Sequence, residues 1–231
     1  MKSSPRIVEL VGLAGAGKTT LSKTLGRCHD QIRLEEIPYF RRIRYLTFFV
    51  RSTCLCLPIW LRLNLEGSSR RLTGEEYAVM AILAGWHRLL ERPLSQSAQV
   101  VVIDQGPVFM LTVLWLYGPE SLKRSCGKEW WNRICQQWAE TLDAVIWLDA
   151  ANATLLERIR VRAKWHMLKE ESDGEALECL RRYRETYGHV LSLLRANNHD
   201  LKVLAFDTAR ESLDGVVDNC LLEFGLKESP A

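Results

Sequence analysis

The feature that most constrains the fold of this chain is a glycine-rich segment at residues 12–19, which has the spacing GxxxxGK[ST]. An apolar run at residues 6–11 precedes it and predicts a strand, and residues 19–27 have the composition of a helix. In that setting the glycines let backbone N–H groups turn inward around a di- or triphosphate, and the helix N-terminus adds positive potential. The segment therefore predicts a nucleotide-binding loop.

Two side chains at the end of this loop have separate expected roles. Lys18 is placed to reach the β- and γ-phosphates, and the Thr19 hydroxyl is placed to ligate Mg²⁺. The residues that we expect to bind the nucleotide in this loop are Gly12, Ala14, Gly15, Ala16, Gly17, Lys18, Thr19 and Thr20.

Size and composition are those of an ordinary globular protein. The 231 residues are 47% apolar and 26% charged, which favours one domain over residues 1–231 with a large core. The longest uncharged stretch of the most apolar region is residues 52–61, whereas a membrane-spanning helix needs about 20 residues. We therefore expect no membrane span and, without a secretory apolar region, a cytoplasmic protein. Seven scattered cysteines without a CxxC pair predict free thiols.

Strand candidates alternate with helical stretches along the chain. The continuously apolar runs at 100–103 and 144–148 are typical of parallel strands buried on both faces. Alternation of this kind predicts right-handed βαβ units and a doubly wound α/β sheet. The predicted strands are residues 6–11, 31–36, 99–104, 143–149 and 201–207. Helices are predicted over residues 73–92, 106–117, 128–141, 152–164, 175–197 and 212–224, the first opened by a capping box, Thr73 to Glu76.

Charge is distributed unevenly along the chain. The net charge is +3, but residues 40–72 contain seven arginines and one acid, Glu66, so this segment carries +6 and the remainder −3. Such a cluster suits an anionic ligand or surface. The segment is also rich in apolar residues, and three interpretations stay open. It could wall the acceptor pocket and pack on the core, it could bind a bulky acceptor, or it could meet a membrane or a partner protein.

Asp104 ends the third predicted strand, where a phosphate-loop enzyme needs an acid to hold Mg²⁺ directly or through water. A carboxylate that only caps the next turn is the alternative. The following residue is Gln105 and not the glutamate that water-activating ATPases commonly carry, which argues against a mechanical ATPase. The sequence has no NKxD tetrapeptide, which disfavours a GTPase.

Two acids, Glu35 and Glu36, end the second predicted strand. Ligands of open α/β sheets bind beyond the carboxyl ends of the strands, so a carboxylate here would face an acceptor substrate. We predict that Glu36 accepts a proton from an acceptor hydroxyl as that hydroxyl attacks the γ-phosphate. Glu35 is the competing assignment, because adjacent strand residues point to opposite faces. A solvated acid pair is the non-catalytic alternative.

Basic residues follow the fourth predicted strand. Arg158 and Arg162 are four positions apart and are expected on one helix face. The polar stretch at residues 164–174 could then close over the nucleotide as a lid. Arginines on a closing lid neutralise charge on the transferring phosphoryl group, so we predict catalytic roles for both. A solvated basic helix face is the alternative.

In this order, the segments GLAGAGKTT, LEEIP, VVIDQGP, ERIRVRAK and LKVLAFDT resemble the P-loop nucleoside and nucleotide kinases, the branch of thymidylate kinase and the deoxynucleoside kinases. The resemblance covers essentially the whole chain, but only the phosphate loop is specific by itself. It implies a three-layer α/β/α fold with five parallel strands in the order 2-3-1-4-5. It also implies a helical substrate-side insertion at about 40–95, with ATP and Mg²⁺ as cofactors.

The resemblance assigns roles to individual residues. Glu36 matches the base of the deoxynucleoside kinases, and Asp104 matches the acid of their Asp/Glu-Arg motif. Arg158 matches the lid arginine that lies against the adenine, and Arg162 matches the one that reaches the phosphates. The residues that match the loop beside the adenine are Asp207, Thr208 and Ala209.

The chain departs from the family pattern in three places. Gln105 replaces an arginine that contacts substrate, Lys164 replaces a further lid arginine and lacks its bidentate fork, and residues 41–72 have no counterpart. We therefore expect an acceptor that is nucleoside- or nucleotide-like, or a related hydroxyl or phosphate metabolite, either anionic or bulky.

The predicted function is transfer of the γ-phosphate of ATP to a small acceptor. The alternative is a P-loop NTPase that acts as a nucleotide-driven switch on a protein or membrane partner. A binding protein without turnover is a third reading, disfavoured because Lys18, Thr19 and Asp104 are all present. We expect no nucleic-acid partner, and a homodimer stays open.

Overall fold

The computed structural model describes residues 5–38, 46–65, 70–90 and 98–227. These residues contain one five-stranded sheet in which all four strand pairs are parallel. The strand order is β2-β3-β1-β4-β5, which confirms the predicted order. The strands are β1 (Arg6–Gly12), β2 (Ile32–Glu35), β3 (Val100–Asp104), β4 (Ala144–Asp149) and β5 (Lys202–Asp207).

Helices surround this sheet, and together with it they enclose the hydrophobic core. β1, β3 and β4 lie in the middle of the sheet and are almost entirely buried, as their continuous apolar runs predict. The helices of the described residues are α1 (Lys18–Cys28), α2 (Leu46–Leu65), α3 (Gly74–Gly85), α4 (His87–Leu90), α5 (Pro107–Tyr117), α6 (Glu120–Lys123), α7 (Ser125–Thr141), α8 (Asn152–Val161), α9 (Asp173–Asn197) and α10 (Leu213–Phe224).

The predicted helix at residues 73–92 is interrupted. Its capping box is present, since the Thr73 hydroxyl accepts from the Glu76 amide and the Glu76 carboxylate accepts from the Thr73 amide. The helix ends at Gly85, and Trp86 separates α3 from α4. Trp86 is fully buried with its ring edge against Trp138. Its backbone is helical (φ −64°, ψ −34°) and its amide donates to the Ile82 carbonyl oxygen at 2.9 Å, so the interruption is local and the chain continues from α3 into α4. The predicted end at residue 92 lies outside the described residues.

α2 lies in a segment for which no helix bounds were predicted from the sequence. Its 20 residues lie against α3 and α7. The α2–α3 contact needs Gly85, because a Cβ there would lie 2.0 Å from the Ser52 hydroxyl. By length and composition, residues 47–65 could cross a membrane, which the count of uncharged residues did not anticipate. Six of the seven cysteines are free thiols, as predicted: Cys28, Cys54, Cys56, Cys135, Cys179 and Cys220.

Candidate active site

The glycine-rich loop lies where β1 ends and α1 begins, at the carboxyl edge of the sheet. Gly12, Gly15 and Gly17 all have positive φ angles, which glycine adopts without strain. Space is limited as well, because a Cβ on Gly12 would lie 2.2 Å from the Leu148 carbonyl oxygen and one on Gly15 would lie 2.8 Å from that of Leu155. The loop can therefore approach β4 and α8 closely only because these positions are glycine.

Lys18 is folded back along the loop. Its Nζ donates to the carbonyl oxygens of Gly12, at 2.7 Å, and Leu13, at 3.0 Å. Burial lowers the pKa of Lys18 to about 8, the Asp104 carboxylate opposes this shift, and Arg162 adds to it. The ammonium thus has only neutral carbonyl partners at hydrogen-bond distance, so a phosphate anion would be a better partner.

Thr19 and Asp104 meet across the loop, as the sequence predicted for a metal-binding pair. The Thr19 hydroxyl lies 3.3 Å from Oδ2 of Asp104. The second carboxylate oxygen, Oδ1, is buried and has no hydrogen-bond partner among the described residues. Buried polar atoms without partners are rare in proteins. Two oxygen donors side by side, one of them unsatisfied, match the ligands that Mg²⁺ prefers.

Gln105, which follows this acid, is the one non-glycine residue with positive φ, at 62°, in the described part of the chain. Such a conformation is costly for most side chains and is concentrated at functional sites. The turn lets β3 end at Asp104 and places Gln105 on the wall of the adjacent cavity. The position where the family has an arginine therefore does face the site.

Arg158 joins the phosphate loop to the segment after β5. Its guanidinium donates to the Thr208 hydroxyl and to the Thr208 carbonyl oxygen, each at 2.9 Å, and approaches the Gly15 carbonyl oxygen at 3.5 Å. Thr208 is itself held by two hydrogen bonds to the Asp149 carbonyl oxygen. Arg158 and Thr208, which the sequence placed near each other only through the resemblance, are thus in direct contact.

Arg162 is not on the helix face that the four-residue spacing predicted. α8 ends at Val161, and Arg162 has extended backbone with φ −69° and ψ 144°. The Lys169 ammonium donates to the Arg162 carbonyl oxygen, which satisfies a group that a continued helix would have used. The Arg162 side chain still reaches the same cavity as Arg158, and its buried Nε has no partner among the described residues.

A cavity of about 460 Å³ opens in front of the loop. Its lining includes Lys18, Thr19, Thr20 and all three positive-φ loop glycines. The predicted lid stretch forms a second wall, where residues 164–168 line the cavity and a short 3₁₀ helix, Met167–Lys169, turns over it. His166 caps this turn by accepting from the Leu168 amide at 3.2 Å.

Positive charge is concentrated on these two walls. The basic side chains that line the cavity are Lys18, Arg158, Arg162 and Lys164. Burial, followed by the charges of Arg162, Lys18 and Lys164, lowers the pKa of His166. The lowered pKa keeps the His166 ring neutral, because another positive charge beside these cations is unfavourable. A polyanion is the ligand that this end of the cavity can accommodate best.

Neither acid of the predicted base pair lines this cavity. Glu35 is the last residue of β2 and lies 3.3 Å from the guanidinium of Arg33. Glu36 follows it and is exposed. The segment that begins at residue 39 lies outside the described residues, so this side of the site is described only in part. Both carboxylates lie at the carboxyl edge of the sheet, where the sequence placed them.

The opposite wall is aromatic and was not predicted. Gln105 lies in the turn between β3 and α5, Phe109 is in the first turn of α5, and Tyr183 and Tyr187 come from α9. Burial raises the pKa of both tyrosines well above its ordinary value, so their phenols stay neutral. These residues are nearly 80 positions apart in sequence, and only the packing of α5 against α9 brings them together.

Glu9 is the other residue that sequence reasoning missed. It is fully buried in β1, and its carboxyl oxygens accept from the amides of Val108, at 2.8 Å, and Phe109, at 3.1 Å. The two amides favour the carboxylate, but burial outweighs them and raises the pKa of Glu9 to about 8. Glu9 thereby fixes the start of α5, which carries Phe109. An acid inside an apolar strand was the available signal.

Comparison with known proteins supports this architecture at low sequence identity. No protein-family model matches the chain, and no curated protein matches it. Among solved structures, YorR from Bacillus subtilis in complex with phosphorylated GDP is similar to it at TM-score 0.54 and 16% identity, over 95% of this chain and 96% of that one. Thymidylate kinase from Candida albicans follows at TM-score 0.53 and 12% identity, over 97% and 93%.

Deoxyadenosine kinase from M. mycoides with bound dATP is also similar, at TM-score 0.50 and 14% identity, over 95% of this chain and 99% of that one. Likeness over nearly the full length of each protein at such low identity is a likeness of fold. The strand order and the position of the loop agree with it. The chain therefore has the fold of the P-loop nucleoside and nucleotide kinases, as a divergent form of it.

Proposed function

We propose that this protein is an ATP- and Mg²⁺-dependent phosphotransferase that moves the γ-phosphate to a small acceptor. The observation that carries the proposal is the meeting of Thr19 with Asp104 beside Lys18, at the mouth of the loop. These are the groups that phosphoryl transfer by this class of loop requires, because the protein's contribution is mainly positioning and charge neutralisation.

On the donor side, the loop amides and Lys18 would hold the β- and γ-phosphates. Arg162 would reach the transferring phosphoryl group from the lid side, and its buried, unpartnered Nε supports this role. Arg158, anchored on Thr208, would lie against the adenine, with residues 207–209 as the neighbouring loop. The dATP bound by deoxyadenosine kinase is consistent with a purine nucleotide at this end.

Thr19 and Asp104 are the residues that would hold Mg²⁺. The fit rests on the buried Oδ1 of Asp104, which lacks a partner among the described residues. When bound, the ion supplies positive charge that neutralises the oxygens of the donor phosphates. The other carboxylate oxygen, Oδ2, accepts from the Thr19 hydroxyl at 3.3 Å.

On the acceptor side, Glu36 would take the proton of the attacking hydroxyl, with Glu35 as the competing base. The aromatic wall suits a planar acceptor that stacks or a bulky one that fills apolar space. A nucleoside- or nucleotide-like acceptor agrees with the similarity of the fold to deoxyadenosine kinase and thymidylate kinase. Gln105 offers an uncharged amide where the family has an arginine, which favours an acceptor without a phosphate at that point.

The test is a product analysis with Mg²⁺ and ATP over a panel of nucleosides, nucleotides and hydroxylated cofactor precursors. A phosphotransferase forms ADP and phosphorylated acceptor in equal amounts, detected by mass spectrometry. Formation of ADP and inorganic phosphate without any phosphorylated acceptor would instead favour the NTPase switch. Absence of ATP turnover with every acceptor, for a protein that binds Mg·ATP, would favour a binding protein.

A further inference from the structure

α2 is apolar on both of its sides, although only one of them packs on the rest of the molecule. The packed side is a regular stripe with spacings of three and four residues, and it faces α3 and α7. A helix that covers a core in this way normally presents polar residues to solvent. The buried stripe consists of Phe49, Ser52, Cys56, Ile59 and Leu63.

The outward side of α2 does not follow that rule. Val50, Leu57, Leu61 and Leu65 lie within one sector of the helix, at spacings of seven, four and four residues. Their exposed fractions are 57%, 44%, 45% and 82%. Leu55, on the far side of Arg51 and Arg62 from this sector, is 45% exposed. Contiguous exposed apolar side chains on a folded protein mark an interaction surface.

The charges of α2 specify what this surface can meet. Arg51 and Arg62 are the only charged residues of the helix. They are 11 positions apart, close to three helical turns, so both flank the same edge of the apolar sector. Both are exposed, and neither makes an ion pair with any residue that the structure describes. The sequence around them, residues 40–72, carries +6 in total.

We propose that the outward side of α2 binds the surface of an anionic phospholipid bilayer, a property beyond phosphoryl transfer. The helix would lie in the plane of the interface, with its exposed leucines among the first acyl carbons. Arg51 and Arg62 would extend to the lipid phosphates. The inference rests on the apolar sector and its arginine-only edge.

α2 lies on the bilayer and does not cross it. Crossing would withdraw the inward stripe from the core, including Cys56, which is completely buried, and Ser52, which is packed against Gly85. About 28% of residues 47–65 are buried inside the protein, and these are the positions that hold α2 to α3 and α7. The inward side keeps the helix on the protein while the outward side is free for lipid.

A second copy of this chain is a poorer occupant of the same surface. Two α2 helices packed side to side would bring Arg51 and Arg62 of both copies together. α2 contains no aspartate or glutamate that could pair with them, so the contact would add like charges at an apolar interface. An anionic lipid surface supplies the opposite charge along the whole edge.

Vesicle flotation with the full chain tests this inference. Wild-type protein should float with phosphatidylcholine vesicles that contain phosphatidylglycerol and should stay at the bottom with pure phosphatidylcholine. Leu61→Glu should weaken binding at least about tenfold, because it places a charge in the apolar sector. R51Q/R62Q should weaken it by about fivefold for each arginine removed.

The matched control is Leu213→Glu, a leucine that is 39% exposed on α10, which should float like wild type. Thermal melts should show that the variants are folded. Failure of wild-type protein to float with either vesicle overturns the proposal, as does wild-type flotation of Leu61→Glu. The proposal also fails if light scattering shows a wild-type dimer that Leu61→Glu dissociates while neither protein floats, because the surface then joins two copies.

Discussion

The two ends of the cavity are built in different ways. The phosphate end is made of Lys18, Thr19 and their loop, which are adjacent in sequence, and of Arg158 and Arg162 from a single segment. The proposed acceptor end is made of Gln105 before α5, of Phe109 in α5 and of two tyrosines of α9. One end is charged and locally encoded, whereas the other is neutral, aromatic and assembled by tertiary packing.

The two ends of the cavity are expected to tolerate sequence change to different degrees. A phosphate is recognised by backbone N–H groups and fixed charges, which leaves little freedom in sequence. An acceptor is recognised by shape and a few hydrogen bonds, which many packings can supply. A divergent chain of this fold is therefore expected to keep its donor and to have a different acceptor.

Exchange of the predicted base should have the largest effect. Glu36→Gln should retain ATP binding and lose phosphoryl transfer by roughly 10²–10⁴-fold, because an amide cannot accept the acceptor's proton. The measurement is the transfer rate with the acceptor found by product analysis, together with ATP affinity. Glu35→Gln is the matched control, because it removes the same negative charge from the neighbouring residue.

The result would also separate the two ends of the cavity. If Glu35→Gln loses transfer and Glu36→Gln does not, Glu35 is the base. If both variants turn over like wild type, no carboxylate of this pair acts as a base. Phosphoryl transfer would then depend on residues of the phosphate end alone, and the acceptor end would serve only to bind the acceptor.

Removal of the loop lysine should follow in size. Lys18→Ala should lower turnover by at least about 10²-fold, as when one preorganised charge is removed from a catalytic site. The fold should persist because the ammonium bonds only to carbonyl oxygens of its own loop. Lys23→Ala, at an exposed position of α1, is the control and should be unaffected. Wild-type turnover in Lys18→Ala would contradict the assignment of the loop as the phosphate-binding end of the cavity.

The lid should respond to nucleotide. Trypsin should cut near Lys164 or Lys169 in the free protein, and an ATP analogue with Mg²⁺ should protect these sites by giving Arg162 a phosphate partner. Arg162→Ala should abolish protection and lower kcat by roughly tenfold or more. Arg195→Ala is the control, since Arg195 is exposed on α9 and does not line the cavity. Equal cleavage with and without nucleotide would contradict the lid.

The last prediction concerns stability and tests how Glu9 supports the proposed acceptor end. The pKa of Glu9 is about 8 in the folded protein, above its ordinary value of 4.5. Between these pH values the folded state keeps a proton that the unfolded state has released, so stability should fall as pH rises from about 4.5 to 8. Relative to Glu9→Gln, the slope should be about 1.4 kcal/mol per pH unit. Parallel stability curves for the two proteins would contradict a raised pKa.

The sequence predicted the features that depend on short segments of the chain or on a known family pattern. Strand positions followed from apolar runs, and strand order followed from the resemblance to a known fold. Thr19 and Asp104 were each predicted to hold Mg²⁺, and the structure places the Thr19 hydroxyl 3.3 Å from Oδ2 of Asp104. The roles of Lys18, Asp104, Arg158 and Arg162 remain predictions about chemistry.

What the sequence could not predict depends on packing. α8 ends before Arg162, whose carbonyl oxygen accepts from the side chain of Lys169, seven residues further along the chain. The aromatic wall joins residues from α5 and α9, which no local pattern links. Glu9 was hidden because a buried acid in an apolar strand is recognised as such only when its amide partners are known.

The most direct test of the account is calorimetric titration of Mg·ATP into three proteins: wild type, Lys18→Ala and Phe109→Ala. The account predicts one site per wild-type chain, affinity weakened at least about tenfold in Lys18→Ala, and unchanged affinity in Phe109→Ala, which alters only the acceptor end. Absence of Mg·ATP binding to wild type, or an equal loss in the two variants, would contradict a cavity with separate donor and acceptor ends.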